Sequence, residues 1–225
     1  MSRNIIITGA GGNLGSAVVG KFKREGYHII ALLQPGKNHE VEEADDFYEV
    51  DVTNERAVAD FIKEYHLQYG DVDALAFLVG GFAMGGIEET NQAMFEKMFT
   101  LNFFSAFHLV KGFLPIMKKQ GKGTFLFVGA KPALNPTDAI GALAYSLSKK
   151  LVISLAEIVG EETKGTPVRS HVFVPSIIDT PTNRAAMPNA DFSKWVSADE
   201  IAGAMHYAVN THALRNITFK LYGEV

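Results

Sequence analysis

The chain contains no cysteine, which excludes disulfides, thiolate metal sites and cysteine nucleophiles. It has one tryptophan and only eight prolines, and no Pro/Gly/Ser-rich linker divides it. Charge of either sign is nearly balanced: 21 Lys and Arg face 25 Asp and Glu, for a formal net charge of −4. That leaves no electrostatic footprint for nucleic acid or an anionic membrane. No uninterrupted apolar run approaches the roughly 18 residues that span a bilayer. The first one, residues 5–7, is too short for a signal-peptide core. A cytoplasmic protein with no nucleic-acid partner, no membrane partner and no metal is expected.

What is present is a folded composition. Of 225 residues, 47% are hydrophobic and 20% charged, enough to bury a substantial core. No repeat appears, so one domain over 1–225 is expected. Short apolar runs read as strands at 4–8, 27–33, 47–52, 73–79, 123–129, 169–175 and 217–223. Helical patterns fill 13–25, 54–68, 91–118, 141–162 and 198–210, the second opening on the N-cap residue Asn54. This alternation predicts an α/β fold: a single Rossmann-like doubly wound parallel sheet of about seven strands, with helices on both faces. Ligands bind such sheets at the carboxyl ends of the strands.

The unusual residues fall at those ends. "TGAGGNLG" joins the first strand to the first helix. Gly9, Gly11, Gly12 and Gly15, with Asn13 and Leu14 between them, allow a tight turn and close approach of a pyrophosphate to the helix N-terminus. A carboxylate at the end of the second strand would hold the ribose 2′-hydroxyl of NAD. Gln34 stands there instead, and Lys37 follows. Either Lys37 meets the 2′-phosphate of NADP or it is a solvated loop charge; the leaning is to NADP over NAD. Asp51 and Val52 close the third strand. Asp51 either accepts from the adenine amino group or forms a turn ahead of Asn54.

"YSLSK" sets Tyr145 and Lys149 one helical turn apart, near the start of the helix that follows the fifth strand. With "TGAGGNLG", "DV" at 51–52, Asn102 in "TLNFF" and "PSIIDT" at 175–180, the chain resembles the short-chain dehydrogenase/reductase family. The motifs occur in family order and span nearly the whole sequence. The resemblance implies hydride transfer between NAD(P) and a small substrate, with Tyr145 exchanging the matching proton. Lys149 would lower the tyrosine pKa, as a nearby ammonium does, and hold the nicotinamide ribose. Asn102 would sit in a helix kink and carry a water that relays protons to Lys149, or be a polar residue satisfied within that kink. Pro175, Ile178 and Thr180 would lie against the nicotinamide, although Thr180 could also cap the loop before Pro181. Gly80 and Gly81, in "LVGG", occupy the family's cofactor loop after the fourth strand without its usual asparagines.

One departure matters most. The serine that polarises the substrate carbonyl is missing: the stretch reads "GAKPAL", with Ala130 or a neighbour in its place and no hydroxyl before Thr137. Its loss removes a few kcal/mol of oxyanion stabilisation. The dihydropteridine reductase branch of the family lacks that serine too. Its pattern is similar to "GAK" at 129–131, "VGG" at 79–81 and "DTPTNRAAMPNADFSKW" at 179–195. That resemblance implies a quinonoid dihydropterin or related ring as substrate. The 179–195 segment reads as a lid, with Trp195 packing it onto the domain. The glycines of "GGFAMGGIEET" suggest a mobile second wall. The apolar helices 91–118 and 141–162 would pair into a homodimer or homotetramer. The rival to an enzyme is a nucleotide-binding sensor or scaffold without turnover.

Overall fold

A computed structural model describes residues 3–36 and 41–224. Lys37 lies outside the described residues. The apolar runs become parallel strands; the central ones are buried on both faces, while the two at the sheet edges, 46–49 and 218–221, are partly exposed. The strands are β1 (Arg3–Thr8), β2 (Tyr27–Leu33), β3 (Asp46–Glu49), β4 (Ala74–Phe77), β5 (Thr124–Val128) and β6 (Arg169–Pro175). A short β7 (Ile178–Asp179) pairs with β8 (Val196–Ser197), and β9 (Thr218–Leu221) completes the main sheet. The main sheet has seven strands in the order β3-β2-β1-β4-β5-β6-β9, as the doubly wound pattern requires.

Helices α1 (Asn13–Arg24) and α2 (Glu55–Gln68) match the sequence reading, and Asn54 Oδ1 caps α2 by accepting from Arg56 N at 3.0 Å and Ala57 N at 3.1 Å. The long helix is not continuous. It runs as α3 (Gln92–Met98), a π-helical turn (Phe99–Phe104) and α4 (Ser105–Gln120). Two short helices, α5 (Lys131–Leu134) and α6 (Pro136–Ala139), precede α7 (Leu143–Glu162). The chain then passes through α8 (Pro181–Ala186) to α9 (Ala198–Asn210). One apolar layer joins α1 and α9 to the sheet through residues such as Val18, Phe22, Ile201 and Met205. The other joins α2, α4 and α7 through Phe61, Phe113 and Val152.

The segment Gln92–Gln120 is long and apolar enough to match a membrane span by composition, contrary to the sequence reading. Its apolar side is core: Leu109, Phe113 and Met117 are buried among residues of α2 and the sheet.

Candidate active site

The glycine turn forms as the sequence predicts. Gly9 takes φ +63°, a left-handed conformation that disfavours side chains. Gly12 amide donates to Gly9 carbonyl at 3.0 Å. A Cβ on Gly15 would stand 2.2 Å from the Gly9 oxygen, so only glycine lets α1 start this close to the turn. Gly12 is the N-cap of α1 and brings no capping side chain, which leaves the helix N-terminus to an external anion. Gly11, Gly12 and Asn13 reach the surface, while Leu14 packs against the α1 core layer. These features fit a dinucleotide pyrophosphate.

At the ribose corner Gln34 is exposed after β2. Glu49 of β3 approaches the same loop, but its carboxylate is turned onto the Gly36 amide at 3.4 Å. Asp51 Oδ1 accepts from Thr53 N at 3.0 Å and Thr53 Oγ1 at 2.6 Å, so its turn-forming role is realised. Val52 is buried.

The π-turn brings Asn102 into the interior beside the loop after β4. Gly81 N donates to Asn102 Oδ1 at 2.8 Å, and Asn102 Nδ2 donates to Gly81 O at 3.1 Å and Ser148 Oγ at 2.8 Å. The amide is thus satisfied within the kink. Lys149, 8% exposed, reaches the end of β5 and donates to Val128 O at 3.0 Å. A Cβ on Gly80 would lie 2.7 Å from Asn102 Oδ1 and 3.3 Å from Lys149 Nζ, so glycine there keeps the two groups together.

Tyr145 is half-buried, and its hydroxyl has no hydrogen-bond partner among the described residues. The expectation that Lys149 draws the phenol down is corrected. Burial pushes Tyr145 up to about 12, and the same burial pushes Lys149 down to about 8. Each loses hydration of its charged form, and burial is the cause of both shifts.

The second wall is less free than its glycines suggested. Gly85 N donates to Gly141 O at 2.7 Å, and Leu143 N donates to Gly85 O at 2.9 Å, tying this loop to the start of α7. That contact sets Phe82, 62% exposed, edge-on against Tyr145 with ring centroids 4.9 Å apart. Met84, Ile87 and Ile140 are also exposed along these two loops. Neither Phe82 nor Ser148 was picked out from sequence. A serine in the stripe of buried residues Ser148, Val152 and Val159 was the available signal for the second.

At the missing serine, Ala130 is buried and supplies no hydroxyl. The following Lys131 turns toward Asp138, 3.7 Å away, and the Tyr222 ring. Thr180 Oγ1 accepts from Asn183 N at 3.1 Å and so caps α8. Pro175 ends β6, and Ile178 begins the small β7–β8 pair. The lid motif holds itself together. Arg184 Nε and Nη2 donate to the two Asp179 oxygens at 2.6 and 2.7 Å, and its guanidinium lies over Phe192, which packs on buried Trp195.

Residues 3–191 match the family model for short chain dehydrogenase. The chain belongs to this family. It is 30% identical over 208 residues to a dihydropteridine reductase of Dictyostelium discoideum, covering 90% of this chain and 85% of that relative. It is 28% identical over 197 residues to 2,3-dihydro-2,3-dihydroxybenzoate dehydrogenase of Escherichia coli (strain K12), covering 88% and 75%. The structure of ElxO with NADP bound superposes with a TM-score of 0.91 at 21% identity, covering 99% of this chain and 98% of that one. This short-chain dehydrogenase is an NAD(P)-dependent oxidoreductase, which sets aside the non-catalytic rival.

Proposed function

We propose that this oxidoreductase reduces a small planar ring of carbonyl or imine type, a quinonoid dihydropterin above all, with Tyr145 as proton donor. The observation that carries the reading is the Tyr145 phenol. With a pKa near 12 it holds its proton at neutral pH, and its hydroxyl has no hydrogen-bond partner among the described residues, beside an exposed aromatic wall. NAD(P), when bound, supplies hydride. Gly9, Gly11, Gly12, Asn13, Leu14 and Gly15 would hold its pyrophosphate, Asp51 and Val52 its adenosine end, and Gly80, Gly81, Lys149, Pro175, Ile178 and Thr180 its nicotinamide end. Tyr145 gives its hydroxyl proton to the substrate. Lys149, titrating near 8, returns it through a water held by Asn102.

The pterin assignment draws on the dihydropteridine reductase relative and on Ala130. In an imine-type ring charge develops on conjugated nitrogen, so a second hydroxyl donor matters less than for a ketone. NADPH as the preferred reductant draws on Gln34 in the acidic position, on Lys37, and on the NADP in ElxO. A homodimer or homotetramer is supported by exposed Phe104, Leu147, Leu151 and Ile158 on the π-turn and α7; sedimentation velocity showing only monomer would end that reading. A cytoplasmic location, without nucleic acid or membrane partner, accords with the balanced charge.

The test is turnover of quinonoid dihydropterin with NADPH and with NADH, in wild type and Tyr145→Phe. NADPH should be the better reductant. The substitution should lower kcat by about 10²- to 10⁴-fold, the range for losing a general acid, with reduced-cofactor binding by fluorescence unchanged. No turnover with either cofactor would remove the pterin. Undiminished turnover in the variant would remove the mechanism.

A further inference from the structure

Ser148 stands between the two catalytic side chains in sequence and is fully buried. Its Oγ donates to the Tyr145 carbonyl at 2.7 Å. A serine bonded back to its own helix is ordinary. The second bond is not, because it crosses to the π-turn, where Asn102 Nδ2 donates to the same Oγ at 2.8 Å.

A hydroxyl has one proton. With that proton on the Tyr145 carbonyl, Ser148 offers Asn102 only lone pairs. It therefore selects the NH2 end of the amide. Gly81 makes the same selection from the other side, its N–H donating to Oδ1 at 2.8 Å and its carbonyl accepting from Nδ2 at 3.1 Å. Rotating the amide by half a turn would set donor against donor at Gly81 N and acceptor against acceptor at Ser148. In the observed orientation Oδ1 borders the small space over Gly80 that Lys149 Nζ also borders.

We propose that Ser148 is a positioning residue that locks the Asn102 amide with its oxygen toward Lys149, keeping an acceptor in place for the proton relay. The proposal rests on the reading of Tyr145 and Lys149 as the proton-transfer pair. Ser148→Ala should lower kcat about tenfold, the value of one hydrogen bond of ordinary strength, with little change in either KM. Ser148→Thr, which keeps the hydroxyl, should recover most of it. In an Asn102→Ala background Ser148→Ala should add nothing, because the serine acts through that amide. A second readout needs no turnover: in ¹H–¹⁵N spectra the Asn102 side-chain amide should exchange with solvent several-fold faster in Ser148→Ala than in wild type or Ser148→Thr. Should Ser148→Ala fail to fold, Ser148→Cys, with its weaker donor and acceptor, carries the same comparison. Full kcat with slow amide exchange in the variant would overturn the proposal, as would an equal loss in the Asn102→Ala background. Activity retained by Tyr145→Phe would instead overturn the proton-transfer reading; an inactive Tyr145→Phe beside a normal Ser148→Ala would overturn only the role of Ser148.

Discussion

Two of the segments that carried the resemblance, "YSLSK" and the long 179–195 match, are built in opposite ways. Around Lys149 the polar groups are buried and held by neutral partners, so desolvation moves both the lysine and Tyr145 away from their usual pKa values. In the segment read as a lid, residues 179–195, the charged groups are accessible and paired. The Arg184 hydrogen bonds hold Asp179 below the usual carboxylate range, and Ser193 does the same for Asp191. A desolvated pair is suited to chemistry; a satisfied, exposed pair is suited to holding shape. The long lid match to the dihydropteridine reductase pattern is therefore largely a match of scaffolding. In the proposed function, what bears on substrate is the smaller set of Tyr145, Phe82 and Ala130.

The largest expected effect tests the desolvated side of this contrast. Lys149→Met should lower kcat by about 10²- to 10⁴-fold yet stabilise the fold. The folded pKa, about 8, lies below the ordinary 10.5, so at neutral pH the unfolded chain holds the proton more readily than the folded one. That difference weighs about 3 kcal/mol against folding below pH 8 and fades as pH rises toward 10.5. Leaving the Val128 carbonyl without its donor takes back about 1–2 kcal/mol. A net gain of about 1–2 kcal/mol at pH 7 by urea unfolding is expected, vanishing near pH 10. A variant destabilised at every pH would mean that the lysine is settled in its place, and the contrast with the lid would lose its basis.

His171 separates burial from function. It lies in β6, fully buried, its Nδ1 accepting from Ile217 N at 3.2 Å, while Nε2 has no hydrogen-bond partner among the described residues. Burial, helped by Arg169 and Arg215, pushes it down to about 4 from 6.5. The cause is that of Lys149, but no substrate can reach it. Its consequence is confined to stability. The unfolded chain binds the proton between pH 6.5 and 4 and the folded chain does not, so stability is full above 6.5 and falls as pH drops toward 4, by about 2–3 kcal/mol. His171→Phe should flatten the difference between urea unfolding at pH 7 and pH 4.5 by about that amount, with kcat unchanged. An unchanged pH dependence would show that the core admits the charge.

The difference between the two segments also explains what the sequence made legible. The five long helical patterns and seven apolar runs were readable because periodicity reports burial directly. The pair Tyr145 and Lys149 was readable because one helical turn fixes their common face. The kink at Asn102 came only with the family resemblance, since the extra residue of its π-helical form leaves no periodic mark in "FTLNFF". It is this turn that carries Asn102 to Ser148 and Gly81. The direction of the tyrosine shift was misjudged for a related reason: sequence shows which charges are neighbours, whereas desolvation depends on packing from distant elements. In the segment read as a lid, the sequence showed Trp195 as the anchor onto the domain. The pairing of Asp179 with Arg184 stayed hidden, although their five-residue spacing brackets the Thr180 cap of α8.

The smallest effect belongs to the lid. Arg184→Gln removes the two bonds to Asp179 and the cation over Phe192. Because the pair is exposed, the global unfolding temperature should scarcely move. The local consequence is different. Phe192, released from the guanidinium, still packs on Trp195 with centroids 4.8 Å apart, so the loop keeps its anchor and loses its shape. Substrate KM should rise several-fold while kcat holds, and limited proteolysis should cut the segment faster, as expected of a lid that folds over substrate. Asp179→Asn should give the same pattern, since either substitution breaks the same pair. A fall in kcat instead, of the size expected for Ser148→Ala, would mean that the lid side chains reach the proton-transfer centre. The two segments would then be one catalytic unit, and the lid match would regain its weight as a guide to substrate.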